Sequence, residues 1–595
     1  MRNKHYSFWS LILIPVFLIA VFFYFDLWKK NRIIVDAPSY YTYLPALIIH
    51  HDLQLDYISK NPEYYKNKVW YYTIENNKKL IKHPMGISVM LAPFFMIGHW
   101  IAGLTGAVQD GYSMPYQNSL SIGVIVYLFA GLFFLRKILL DHFSEKITAL
   151  TLITIVFATN LLWYSTFEGL MPHAITFSLW CAAIYCFFQW IKKGERKALL
   201  CFSAAFGLIV LIRPLSIVAI LYFLVYGIIS KGGIKQFIAF MKPRAKEIFL
   251  GVLIAFLIAA LQLVYWKYAT GKWLYDVYRD EHFIFNSPQI IPFLFSFRKG
   301  VFIYTPILIF ALVGMITYFK NNSALFWSTL FLMGMTIYLL ASWWAWSYGI
   351  SWGIRPMIDY YAVLSLPLAA GFQFLFNRFR IISITTGILV FLFVILNLFQ
   401  TWQYKNGLIH YDDMSKEAYF KGFFQTRSSI EWADLLKPYD WERRIKGLPQ
   451  INYSSEFFHS LDKKQTLSFR ATNLLYVAVN EKAQKAMGAL SQGPGLNGEF
   501  YIEHLGGQSI CIRSTQGLLW SLKPEYENAV LASASSIGSA EKFTFEYLDE
   551  DDNRIALKAA NGKYISIGDQ WPFILKANSE TLGKNETFRF LVITR

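Results

Sequence analysis

The chain has 595 residues, 55% of them hydrophobic and only 16% charged, with 52 Phe, 37 Tyr and 19 Trp. That balance excludes an ordinary soluble domain and marks a polytopic membrane protein. The formal charge of +17 does not mark a nucleic-acid binder, because the basic residues gather in short loops between apolar runs and no basic face interleaves with aromatics.

The first apolar run, 7–26, is long enough to span a bilayer and has no small-residue cleavage site after it, so it is expected to stay as an anchor. The chain continues Ile33-Ile34-Val35-Asp36-Ala37-Pro38-Ser39-Tyr40-Tyr41, then a long polar loop to Lys82-His83-Pro84-Met85-Gly86. Asp36 therefore falls at a membrane face, at the start of a loop large enough to shape a site. Further runs lie near 118–136, 147–165, 172–192, 198–213, 215–230, 247–268, 301–319, 324–342, 359–377 and 382–402, giving about eleven spans.

The basic loops at 136–146, 192–197, 231–246, 320 and 378–380 are separated by pairs of spans, so all can share the cytoplasmic side with Arg2 and Lys4. That parity holds only if the apolar stretch 87–106 does not cross. It is expected to lie along, or dip into, the outer face. Residues 27–117, 269–300 and 343–358 then face out, and the last span delivers the tail outside. Cys181, Cys186, Cys201 and Cys511 have no spacing of a disulfide framework or zinc site.

Residues 403–455 read as an interfacial linker and 456–595 as an all-β domain, with short alternating apolar runs and Gly-Asn turns. The tail repeats. Ile510–Gly517 realigns with Ile555–Gly562, and Glu541-Lys542-Phe543 with Glu586-Thr587-Phe588, both at an offset of 45 (510 to 555, 543 to 588). A weaker first copy holds Leu467-Ser468-Phe469-Arg470 and Glu499-Phe500. Three copies of about four short strands suit a closed threefold barrel. The units resemble the fascin-like β-trefoil, without the Gln-x-Trp signature of sugar-binding trefoils. The tail reads first as a packing or docking module.

Within 1–402, an N-terminal span, an outer loop opening with an acidic residue, and a basic-Pro turn before an apolar helix resemble the GT-C superfamily of membrane glycosyltransferases. Its members include the protein O-mannosyltransferases and the lipid A aminoarabinose transferase. The resemblance implies a polyprenyl-phosphate-linked sugar donor, an acceptor still to be identified, and Asp36 as the loop-1 carboxylate. A carboxylate there can take the proton of an attacking hydroxyl or amine. Asp36-Ala37-Pro38 also suits a helix cap. Many relatives carry two adjacent acidic residues, but here Ala37 follows, so no metal or other cofactor is expected. Lys82 and His83 sit where relatives place a charge before proline, suited to the donor phosphate; snorkelling and a simple turn are the alternatives.

Arg213-Pro214 interrupts two apolar runs, so Arg213 is either a phosphate ligand or a headgroup arginine. The segment Trp343–Tyr360 is rich in indoles and glycines. Trp346, Tyr348 and Asp359 would shape a pocket and Arg355 would meet a phosphate, unless the aromatics form an interfacial belt. Glu168 and His173 are further pocket candidates, with His173 equally suited to a structural role. Asp276, Asp280, Glu281 and His282 are charged outer-loop residues that could meet acceptor or simply be solvated.

The sequence thus reads as a GT-C-like glycosyltransferase of the plasma (inner) membrane with a C-terminal β-trefoil outside the cytoplasm. A lipid-linked-sugar transporter and a non-catalytic scaffold presenting the trefoil remain as alternatives.

Overall fold

The computed structural model describes residues 5–427 except 67 and 280, short pieces of 432–445, and 466–593 except 474, 482–483, 492–495, 507, 550–553 and 571–572. The chain forms two units, Met1–Tyr419 and Phe420–Arg595. The boundary read at 455–456 lies outside the described residues, while 403–419 belongs to the first unit.

The first unit is helical. Among the described residues, eight helices are long and apolar enough to cross a membrane: Tyr6–Tyr24, Gly86–Thr105, Met114–Leu140, His173–Lys193, Ile234–Thr270, Ser323–Ser342, Arg355–Phe376 and Arg380–Lys405. Pro214–Ser230 and Pro306–Asn321 are shorter apolar helices. The run read as one span at 147–165 is broken into Glu145–Phe157 and Leu161–Ser165. The break is chemical. The Thr159 hydroxyl bonds back to the Ile155 carbonyl at 2.6 Å, and Asn397 Nδ2 donates to the freed carbonyls of Phe157 and Thr159 at 2.9 Å each. Side chains have taken over backbone partners there.

Small residues set the closest packing. A side chain on Gly314, in Ile309–Asn321, would run into the Pro367 carbonyl, and one on Gly371 into the Phe310 carbonyl. Two helices approach backbone to backbone at these points, as apolar helices do where Gly faces the neighbour.

The helix Gly86–Thr105 has a defined place. Gly86 packs on the backbone of Ile212, the last residue of Arg196–Ile212. The Tyr127 hydroxyl then donates to the Met90 carbonyl and Ser119 Oγ to the Phe94 carbonyl, both at 2.6 Å, and Gly98 lies on the Tyr116 backbone. These contacts run along only the first half of Met114–Leu140. The other end of that helix belongs to a separate cluster, where Arg136 Nε donates to Ser7 Oγ at 2.7 Å and pairs with Glu145 at 3.2 Å.

Between the first two long helices, β1 (Tyr72–Thr73) and β2 (Lys79–Leu80) make a small hairpin. The second unit is a twelve-stranded sheet closed on itself. Its strands are β3 (Thr466–Ala471), β4 (Tyr476–Asn480), β5 (Ala486–Ser491), β6 (Phe500–Gly506), β7 (Ser509–Ser514), β8 (Leu519–Lys523), β9 (Ala529–Ala534), β10 (Phe543–Asp549), β11 (Arg554–Lys558), β12 (Tyr564–Ile567), β13 (Leu575–Ser579) and β14 (Thr587–Ile593). β3, β6, β7, β10, β11 and β14 pair in that order, and β14 returns to β3. The hairpins β4–β5, β8–β9 and β12–β13 meet through β9 and a Gly488–Ile574 bridge.

The sequence repeat maps onto this barrel. Gly517 (φ 85°) and Gly562 (φ 74°) occupy equivalent turns that need a left-handed residue. Glu541 is buried, accepting from Ser521 Oγ at 2.6 Å and from the Gly538 amide at 2.8 Å, which accounts for the Gly-x-x-Glu spacing. Phe469, Phe500, Trp520, Phe543, Ile555 and Phe588 pack in one core. Residues 456–595 expressed alone are therefore expected to give β-rich circular dichroism and one cooperative thermal transition; gradual melting would show that the barrel needs the helices.

Candidate active site

Two residues from far apart in the helical unit meet at its centre. Asp36 Oδ2 lies 2.8 Å from Arg355 Nη2. Asp36 precedes the short helix Ala37–Tyr41, but its side chain makes no cap bond. Only its carbonyl serves the turn, accepting from the Ser39 amide at 3.1 Å. The helix-cap reading of this carboxylate does not hold; the carboxylate faces Arg355. The preceding residue, Val35, sits at φ 58°, an unusual conformation for a β-branched side chain and one that costs free energy.

Burial works to raise the Asp36 carboxyl, but the Arg355 guanidinium, with Lys82 further off, more than offsets it and holds the group below the usual carboxylate range. Asp36 is therefore ionised at neutral pH. His83 stands nearby with its ring 4.3 Å from that of Tyr40. Its amide donates to Ser39 Oγ at 3.1 Å and its carbonyl accepts from the Tyr43 hydroxyl at 2.8 Å. Burial pushes the imidazole down to about 3, so it is neutral.

Arg355 opens the turn Arg355–Tyr360. The loop before it winds through three left-handed residues, Tyr348, Gly349 and Gly353. At Gly353 a Cβ would come 3.2 Å from Asn160 Nδ2, an atom already donating to the Trp352 carbonyl at 2.9 Å. The Tyr348 hydroxyl donates to the Leu340 carbonyl at 3.1 Å, and Trp346 is buried in the same loop.

Beside this pair, Asp359 joins two more of the candidate residues. Its Oδ2 lies 2.6 Å from Arg213 Nε and its Oδ1 3.0 Å from His173 Nδ1. The Arg213 charge acts on His83 and Tyr40 as well, so both groups share one polar region. Lys82 is placed differently from its reading as a free phosphate ligand. Its Nζ is 2.6 Å from Glu281 Oε1, with the rings of Trp70, Tyr72 and Tyr278 5.3–5.5 Å away. Of the other outer-loop acids, Asp276 accepts from the Tyr278 amide at 3.0 Å, and Asp280 lies outside the described residues.

Among the described residues, two buried nitrogens beside Asp36, Arg355 Nη1 and His83 Nδ1, have no hydrogen-bond partner. Such groups are costly unless a ligand meets them. Glu168 is 6% exposed, and burial raises its carboxyl. Arg355 Nη1 is a fixed donor beside an ionised carboxylate, with the His83 ring and the Glu168 carboxyl as further polar groups, which suits a substrate bearing phosphate and hydroxyl groups. A divalent ion fits poorly. Asp36 already faces a guanidinium, and among the described residues no three His, Cys, Asp or Glu side chains converge.

Sequence reasoning missed Arg298 and Lys299. Both are buried; Lys299 binds the loop that carries Arg355, and Arg298 binds the neighbouring segment at Asp412. The signal was present: two adjacent cations in the outer loop 269–300 run against the charge rule that orients the other loops.

No known family model and no curated protein matches the chain. The barrel is similar to a designed threefold-symmetric protein, ThreeFoil, at 15% identity and TM-score 0.20, over 21% of this chain and 97% of that one. The chain is similar in structure to the oligosaccharyltransferase of Archaeoglobus fulgidus in the apo form, at 12% identity and TM-score 0.41, over 76% of this chain and 62% of that one. A second solved form, archaeal oligosaccharyltransferase AglB from Archaeoglobus fulgidus in complex with an inhibitory peptide and a dolichol-phosphate, is similar at 12% identity and TM-score 0.39, over 76% and 61% of the two chains, so this chain spans under two thirds of their length.

Proposed function

We propose that the chain is an integral membrane glycosyltransferase of GT-C type, moving one sugar from a polyprenyl-phosphate donor to an acceptor on the outer face. The observation that carries this reading is the Asp36–Arg355 pair, with Arg355 Nη1 and His83 Nδ1 left open beside it. The acceptor hydroxyl or amine attacks the anomeric carbon. Its proton passes to the Asp36 carboxylate. The bond from that carbon to the phosphate oxygen breaks, and the electron pair leaves with the polyprenyl phosphate. Arg355 Nη1 meets the growing charge, and Arg213, oriented by Asp359, supplies a second guanidinium. Neutral His83 and buried Glu168 hold sugar hydroxyls. The reading assigns no metal or other cofactor.

The side follows from the helix ends. His173 starts a helix that finishes at Lys192 and Lys193, and Arg213 ends one that begins at Arg196. These ends support a site opposite the basic loops, which the charge rule would put on the outer side. Gly86–Thr105 touches only the site-side half of its neighbour, which supports a helix dipping into the outer face. We read the threefold barrel as a fascin-like β-trefoil, held outside the cytoplasm as a docking module.

Comparing polyprenyl-linked sugars in cells with and without the protein tests the function. Loss of the protein should leave one polyprenyl-phosphate monosaccharide to accumulate. Unchanged pools, with no turnover of such a lipid by purified protein, would sink the reading.

A further inference from the structure

Lys299 is 2% exposed, yet among the described residues no carboxylate lies within ion-pair distance of it. Its ammonium joins the 349–351 turn to the segment at Tyr411. Nζ donates to the Gly349 carbonyl at 2.9 Å, to the Ser351 hydroxyl at 2.9 Å, and to the carbonyls of Ser351 and Tyr411. Its neighbour Arg298 donates to the Asp412 carbonyl and reaches Asp413 Oδ1 at 3.4 Å. Asp412 in turn accepts from Ser347 Oγ at 2.9 Å. Residues 347–351 are thus tied from two sides, just before Arg355.

This stretch lacks regular structure and includes left-handed Tyr348 and Gly349, so its carbonyls have no helix or ladder donors. An ammonium has three protons and no acceptor, and it can serve several converging carbonyls where a neutral side chain of that length cannot. Burying a charge this way is expensive. The return is a fixed path for the chain that delivers Arg355 to Asp36.

We propose that Lys299 is a positioning residue for the Asp36–Arg355 pair, a buried ammonium that clamps the 349–351 turn and so aims the Arg355 guanidinium. The role rests on the transferase reading for its catalytic consequence, though the clamp itself does not. Burial pushes the amine down to about 7. The facing charges are Asp412 and Glu168, which favour the ammonium, and Arg355 and Arg298, which oppose it. The clamp is therefore charged at low pH and loses its charge as pH rises through about 7. His410, whose Nδ1 accepts from the Asp413 amide at 2.8 Å, is the nearby imidazole that could mimic this and serves as the control.

The experiment measures kcat/KM for a polyprenyl-phosphate sugar from pH 6 to pH 9 with full-length protein in nanodiscs. Wild type should lose activity as pH rises through about 7. Lys299→Arg, charged throughout, should keep activity and flatten that decline, whereas His410→Gln should leave it in place. Lys299→Met should lie about 100-fold below wild type at pH 6, the scale of a small misplacement of a catalytic group, with the gap narrowing as pH rises through about 7. A flat wild-type profile, or a decline unchanged in Lys299→Arg, overturns the proposal even if Lys299→Met does not fold. If wild type turns over no such donor, the transferase reading fails and the clamp is judged by hydrogen exchange. Lys299→Met should then speed exchange across residues 347–355 relative to the other helix ends, and equal exchange overturns the clamp.

Discussion

Asp36→Asn is expected to lower sugar transfer about 10²–10⁴-fold, the span attributed to a positioned general base, while the protein still accumulates and folds. The amide keeps the shape of the carboxylate and can still accept a hydrogen bond from Arg355, but it cannot take a proton. The side chain makes no cap bond to Ala37–Tyr41, so the helix loses nothing. Radiolabelled donor assays on wild-type and variant membranes at matched protein level decide the matter. Normal turnover by Asp36→Asn would falsify the assignment of the base.

Arg355→Ala should be nearly as damaging and should change the pH dependence too. The arginine has two tasks in the proposed reaction. It meets the donor phosphate through Nη1, and it holds Asp36 ionised through Nη2. Breaking one side of a buried pair leaves the other charge uncompensated, a cost of about 3–5 kcal/mol. The sign is definite. Asp36 now lies below the ordinary carboxylate value, so it stays ionised through neutral pH. Without Arg355 the burial effect prevails and the carboxyl rises. The acid limb of the rate profile must then move to higher pH, and the donor KM should increase. Arg355→Lys should recover part of both, since one ammonium replaces a two-pronged guanidinium. A variant with reduced protein level but wild-type KM and acid limb would make Arg355 a scaffold residue alone.

The sequence marks Asp36, Arg355, Arg213, Asp359 and His173 separately, because each is a polar group at the edge of an apolar run, where a charge needs a reason. It does not pair them. Which guanidinium meets which carboxylate depends on how helix ends converge, and hydropathy carries no such information. Lys82 shows the limit most clearly. Its position before His83-Pro84 suits a phosphate, while the structure sets it against Glu281 among three aromatic rings, and Glu281 and Tyr278 come from a loop far away in the chain. Asn160 was hidden for a related reason, since one amide inside an apolar run barely lowers the mean hydropathy, yet it anchors Trp352 and accepts from the Tyr361 hydroxyl. The barrel is legible to a greater degree, because a repeat of strands and turns is written in consecutive residues.

The closed ring of the tail also limits how it can recognise anything. Each of its six ring strands is paired on both sides over at least part of its length, so among the described residues the ring has no strand with a wholly open edge. Closure leaves the ring no free end strand to extend by a peptide or by a neighbouring copy. Recognition must be written in side chains on turns such as Asn561-Gly562 and on the three hairpins. Such a surface can change by substitution at the turns while the barrel beneath stays intact.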